Sequence, residues 1–220
     1  MEQHDREELA EVNAARKGFY EFLASMYKLE LTDEQIGTLT KQDLPTDAEY
    51  VGAGYATVKE YLRHRDSGTR QELAVDYARV FLCAGMYEQL MAPPYESVYT
   101  SEGGLMMQEA YAEVLHVYRN AGFAKNPGFK EPEDHLAVEL AFMALLCGRA
   151  VEALRAGDEA GAERQLRAQR EFLCDHLLNW IDRFTADVRK AAEDGFYFDL
   201  ATFTEDFLTA DAAELAEVLG

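Results

Sequence analysis

The sequence contains no CxxC pair, and its three cysteines, Cys83, Cys147 and Cys174, leave at least one thiol unpaired. That argues against a disulfide framework and for a reducing compartment, with the cytoplasm as the simplest home. GxxxxGK[ST] and GxGxxG are both missing, so nucleotide chemistry of the usual kinds has no support, and the HExxH pair of many zinc enzymes is missing too. The N-terminus, "MEQHDREELAEVNAARKGF", has no basic segment followed by an apolar one, and no uninterrupted apolar run reaches spanning length. Neither export by its own signal nor stable membrane insertion is expected. Positive charge is scarce as well: 21 Lys and Arg stand against 41 Asp and Glu, a formal charge of -20 at pH 7. Such a chain repels nucleic acid and anionic lipid and favours basic partners.

What is present is a core. Apolar residues make up 48% of 220 residues and recur at helical spacing almost everywhere, with little alternation of period two. The expected class is all-α, a single compact domain over residues 1–220 built from about ten helices. A first helix aligns Leu9, Val12, Phe19, Tyr20, Leu23 and Tyr27, with Arg16 as the one charged member of that face. Thr32 with Gln35, Thr46 with Glu49 and Thr69 with Glu72 have the spacing of capping boxes. The second of these precedes Val51, Tyr55, Val58 and Leu62, and the third precedes Leu73, Tyr77, Val80 and Phe81. Residues 84–104, with Pro93, Pro94, Gly85, Gly103 and Gly104, are expected to be irregular. Helical spacing resumes at Met107 and runs through Tyr111, Val114, Leu115 and Tyr118 to a cap at 120–122. A central helix is expected over 134–156, apolar all round from Leu136 to Cys147. After Gly157 a long helix aligns Leu166, Leu173, Leu177, Trp180, Ile181, Phe184 and Val188, and the tail gives an aromatic helix with a short acidic end.

Three readings compete for "EPEDH", residues 131–135. His135 and Glu139 stand at i and i+4 and, with His176, could serve a small metal-dependent hydrolase, although no spacing suggests a third ligand. Asp134–His135 and Asp175–His176 are adjacent pairs whose side chains diverge by about 100° on a helix, so neither is a ready dyad. The plainest reading is a helix start, with Pro132 at the first helical position and Glu133 and Asp134 in the first turn, facing the positive end of the dipole. It leaves His135 unexplained. In "APPYESVYT", residues 92–100, the double proline stiffens a loop that Tyr95, Val98 and Tyr99 plug into the core. Met86, Met91, Met106 and Met107 nearby are either core filler or an adaptable lining for a peptide groove.

Four segments in order resemble the TorD/DmsD/NarJ family of chaperones for complex redox enzymes: "ARKGFYEFLASMY" at 15–27, "DYARVFLCAG" at 76–85, "APPYESVYT", and "EPEDHLAVELAFM" at 131–143. The resemblance implies an all-helical, cytoplasmic, non-enzymatic chaperone with no cofactor or metal of its own. Its partners would be the twin-arginine leader and apo catalytic subunit of a molybdopterin-containing oxidoreductase, whose folding, cofactor insertion and export proofreading it assists. A NarJ-like chaperone for a subunit that is not exported is the alternative, and a monomer is expected, with a dimer as its alternative. Carried over by motif, the peptide site comprises Val80, Phe81, Pro94, Tyr95, Ser97, Tyr99, Pro132, Asp134 and His135, joined by Arg16 and Tyr20. Val80 stands where leucine is common in the family and Tyr95 where tryptophan is common. Asp134 would pair with a leader arginine, Phe81 and Tyr95 would receive leader side chains, and His135 would hydrogen-bond.

Overall fold

A computed structural model describes residues 2–41, 52–82, 91–192 and 195–220. The expected Thr46–Glu49 cap, Val51, Cys83, Gly85 and Met86 lie outside the described residues. The described chain forms ten α-helices: α1 (Gln3–Lys28), α2 (Asp33–Lys41), α3 (Gly52–Arg63), α4 (Thr69–Phe81), α5 (Glu96–Thr100), α6 (Glu109–Ala121), α7 (Leu136–Ala156), α8 (Glu159–Phe172), α9 (Ile181–Ala192) and α10 (Phe196–Leu219). Among the described residues there is no strand, only an isolated antiparallel bridge between Tyr95 and His135.

Helix α7, apolar nearly all round, can satisfy that surface only by being enclosed. It packs along α1 on one side and α8 on the other, while α10 lies against α9, α3 and α8. The core is continuous, from Phe19 and Tyr27 on α1 through Phe142 on α7 to Phe184 on α9 and Phe203 on α10. The Thr32–Gln35 capping box forms reciprocally, with the Gln35 N–H donating to Thr32 Oγ1 at 3.2 Å and the Thr32 N–H to Gln35 Oε1 at 2.9 Å. Gly122 and Gly157, both left-handed at φ 64° and 74°, end α6 and α7. Thr69 does not cap Glu72. It is the first residue of α4, and Asp66 Oδ1 accepts from the Gly68 and Thr69 N–H groups instead.

Three further expectations are corrected. Residues 84–104 are not wholly irregular, since α5 forms within them. Met107 precedes α6 and sits at φ 57°, a left-handed conformation uncommon outside glycine. The long helix after Gly157 is broken: a π-helical turn at Leu173–Leu177 separates α8 from α9, closed by the Leu178 N–H donating to the Leu173 carbonyl at 2.8 Å. The wider turn keeps Phe172, Leu173, Leu177 and Trp180 all buried while bringing His176 and Trp180 toward the start of α7.

Gly54 shows how closely α3 approaches α10. An added Cβ would lie 2.9 Å from Phe203 Cβ and 3.1 Å from its Cα. A helical glycine normally gains stability on becoming alanine. Here the sign is expected to reverse: Gly54→Ala should cost about 1–3 kcal/mol in urea denaturation. Gly37→Ala on α2, with nothing within 4 Å, should instead stabilise by up to about 1 kcal/mol.

Candidate functional site: a junction beside an acidic cavity

The segment 92–97 is tied to two distant parts of the chain. The Ala92 N–H donates to the Val80 carbonyl at 2.9 Å, at the end of α4. The Leu136 N–H then donates to the Pro94 carbonyl at 2.9 Å and the Glu96 N–H to the Asp134 carbonyl at 3.0 Å, which makes the Tyr95–His135 bridge. Asp134 Oδ2 accepts from the Ser97 N–H at 3.1 Å and from the Ser97 hydroxyl, so its carboxylate covers the exposed donors at the start of α5. Tyr95 donates to Glu131 Oε2 at 2.6 Å. Pro132 is not at the first helical position of α7; its carbonyl accepts from the His135 N–H at 3.2 Å in the turn before the helix. Six of the sequence-selected residues, Pro94, Tyr95, Ser97, Pro132, Asp134 and His135, thus converge.

His135 is the N-cap of α7. Its Nδ1 accepts from the Ala137 N–H at 3.0 Å, and its ring meets Tyr95 and Phe129 edge-on, each at 5.1 Å. A cap of this kind needs a neutral imidazole. Burial, then the nearby Lys125 ammonium, push its pKa down to about 3. An unfolded histidine takes a proton near pH 6.5, whereas the folded one resists until about 3, so its contribution is full above 6.5 and is lost as pH falls between the two. His135→Asn keeps an acceptor at the cap without a titrating ring. In denaturation at pH 7 and pH 4, wild type should lose on the order of 3 kcal/mol more than the variant.

Below this junction lies a buried carboxyl pair. Glu139 and Glu96 are both excluded from solvent, with Trp180 Nε1 donating to Glu139 Oε2 at 3.3 Å and His176 Nδ1 facing Glu96 Oε2 at 3.2 Å. Burial, then Glu96, hold the Glu139 pKa well above the usual range, favouring the neutral acid. The metal-hydrolase alternative finds no ligand set here: His135 Nδ1 is engaged by the backbone, and His176 faces Glu96. Among the described residues no three His, Cys, Asp or Glu side chains converge to hold an ion.

The remaining sequence-selected residues lie elsewhere. Phe81 is buried against Tyr27, Tyr77, Phe184 and Tyr197, and Val80 is equally enclosed. Tyr99 stacks on Trp180 at 5.5 Å. Arg16 and Tyr20 are not brought to the junction. Arg16 reaches Asp211 through Nε at 2.5 Å and Nη2 at 2.9 Å, and Gln169 Oε1 at 2.7 Å; Tyr20 donates to Asp211 at 2.5 Å. This cluster lies level with Cys147, about 16 Å along α7 from Leu136 at the helical rise. It joins α1, α8 and α10.

Two features stand beside the junction, and of their residues the sequence pointed only to Met106 and Met107, as core filler or groove lining. A cavity of about 480 Å³ is lined by Glu96, Glu102, Glu109 and Glu113, with Glu96 as its buried inner end. Between Glu102 and Glu109 the chain exposes Leu105, Met106 and Met107 at 60%, 42% and 56%. The loop is hydrogen-bonded to itself: Ser101 Oγ accepts from the Leu105 N–H at 3.0 Å and the Met106 carbonyl from Gln108 Nε2 at 3.0 Å. Three large apolar side chains therefore stand in solvent on a formed loop, flanked by carboxylates. In "SEGGLMMQEAYAE" Met106 and Met107 drew notice as core filler or groove lining, but helical spacing assigned Met107 to α6, and Leu105 and the flanking carboxylates passed unread.

The polar groups of this helical scaffold thus serve caps and junctions, beside an open acidic and apolar surface. The chain belongs to the nitrate reductase delta subunit family, matched over residues 44–186. It is similar to the protein named Chaperone protein TorD of Photobacterium profundum, with 29% identity covering 95% of this chain and 98% of the relative. The Vibrio parahaemolyticus protein of the same name is 28% identical, with the same coverage. A solved chain from Archaeoglobus fulgidus, described as a candidate redox enzyme maturation protein, aligns over 91% of this chain and 93% of its own, with 20% identity and a TM-score of 0.49. The expected family and non-enzymatic class stand on the family match and the named chaperones.

Proposed function

We propose that the protein is a cytoplasmic chaperone that binds the twin-arginine leader of a molybdopterin-containing oxidoreductase subunit and holds the apo-subunit until its cofactor is inserted. The observation that carries this reading is the exposed Leu105–Met107 step set between carboxylates. A twin-arginine leader is basic and then apolar, and this surface sets acidic and apolar side chains side by side. The arginines enter the cavity of Glu102, Glu109 and Glu113 as charge-assisted pairs, and the apolar part of the leader lies on Leu105, Met106 and Met107.

In this reading Asp134, Ser97, Tyr95, Pro94, Pro132 and His135 position the site. They fix α5, which carries Glu96 to the inner end of the cavity. Asp134 is fully buried, with Ser97 on Oδ2 and no hydrogen-bond partner on Oδ1, so a leader arginine pairing with it would have to open the junction to reach that second oxygen. Val80 and Phe81 support the 92–95 segment from the core. The family description favours one second reading, assembly of a subunit that is not exported; a basic and apolar segment without paired arginines would then bind as well.

Fluorescence anisotropy with a labelled twin-arginine leader tests the proposal. Micromolar or tighter binding is expected, weakening as salt rises from about 0.05 to about 0.5 M. Replacing both arginines by glutamine should abolish it. A panel of leaders that fails to bind at any salt would sink the reading, and equal binding of the glutamine peptide would favour the non-exported client.

A further inference from the structure

A predominantly apolar opening lies on the other side of the junction and is rimmed by the opposite charge. A groove of about 480 Å³ runs between α1, α7 and the loop 123–129, floored by Ala24, Val138, Ala141 and Leu145. Its rim carries Lys17, Lys28 and Lys125 against a single carboxylate, Glu21. Lys17 pairs with Glu21 at 2.9 Å and Lys125 with Glu133 at 3.3 Å. Lys28 stands over the Phe129 ring at 5.7 Å and, among the described residues, has no ion-pair partner. A chain with twice as many acids as bases has thus gathered three lysines around one apolar trough.

We infer that this groove docks an acidic amphipathic helix of the client subunit, distinct from its leader. Lys17 and Lys28 are eleven residues apart on α1, about 16 Å at the helical rise, which matches carboxylates about three turns apart on a docked helix. The alanine and valine floor lets an apolar stripe of that helix approach closely, and the lysines receive the acids beside it. A second copy of this chain is the poorer fit because each copy carries a charge of -20. The client as the source of the helix rests on the chaperone reading; the chemistry of the groove does not.

The probe is a synthetic helical peptide of about fourteen residues with a leucine stripe flanked by glutamates, and a control with each glutamate replaced by lysine. Titration should show the acidic peptide binding and the lysine peptide not. Lys17→Glu with Lys28→Glu should raise the Kd of the acidic peptide at least about tenfold, and Ala141→Trp, which fills the floor, should do the same. Both variants should bind the twin-arginine leader as wild type does, which also reports that they are folded. Equal binding of the two peptides, or acidic-peptide binding that survives both variants, overturns the inference. So does sedimentation showing that the groove is covered by a second copy. Loss of leader binding in wild type would instead fall on the proposed function, and the fluorescence of the buried Trp180 would then report that the variants are folded.

Discussion

Asp211→Asn is expected to lower the unfolding free energy by about 3–5 kcal/mol, the largest stability effect in the chain. The substitution barely changes shape, yet it leaves the Arg16 guanidinium buried without its counter-charge. Burial, the largest single influence, pulls the Arg16 pKa down; Asp211, with Cys147 and Tyr20, together outweigh it and hold the net value well above the ordinary one. Burial, then Asp211, raise Tyr20, so its hydroxyl remains a neutral donor to the same carboxylate. Asn13 and Gln169 complete the shell, with Asn13 Oδ1 accepting from Arg16 Nη1 at 2.9 Å. Replacing the pair together, Arg16→Met with Asp211→Leu, should recover most of the loss, because the cost lies in the orphaned charge. Urea denaturation at pH 7, followed by the fluorescence of Trp180, the one tryptophan and fully buried, measures both. A loss below about 1 kcal/mol for Asp211→Asn would mean that the buried pair does not form.

The largest functional effect is expected from charge reversal in the acidic cavity. Glu102→Lys with Glu113→Lys should weaken leader binding at least about a hundredfold, since like charges then face each other at several kcal/mol. Both side chains are exposed, so stability should change by less than about 0.5 kcal/mol. Glu109 is left in place because it faces the positive end of α6. Asp134→Asn makes the contrast: it should weaken binding less, and do so together with a loss of stability, because it acts through the cap of α5. Anisotropy and urea denaturation on the same three proteins separate the two roles.

Helices were legible wherever a local signal sufficed. The stripe on α1, the apolar circumference of α7, the Thr32–Gln35 box and the glycines ending α6 and α7 all lie within a few residues of what they determine. The π turn was not legible, because 173, 177, 180, 181, 184 and 188 keep a helical apolar spacing while the backbone widens between them. Helix α5 is five residues long and depends on Asp134, 37 residues away from Ser97, so no local pattern announces it. The His135 cap was hidden for a related reason. A histidine caps only when neutral, and its neutrality comes from tertiary burial.

The candidate site was legible as a group and not as a surface. The motif resemblance drew Pro94, Tyr95, Ser97, Pro132, Asp134 and His135 together, and the fold does bring them to one junction. Exposure, however, is a tertiary property, and it separates the residues that build the junction from the neighbours that face solvent. Arg16 was singled out correctly as the one charge on an apolar face, but its partner stands 195 residues away on α10.

In the proposed function a twin-arginine leader places its arginines in the cavity of Glu102, Glu109 and Glu113. The direct measurement is photo-crosslinking with a leader carrying a photoreactive residue immediately after the arginine pair, followed by mass spectrometric identification of the attached site. Attachment within residues 101–113 is the expected result. Attachment at the lysine-rimmed groove of α1 and α7, or within the α4 core at Val80 and Phe81, would contradict it.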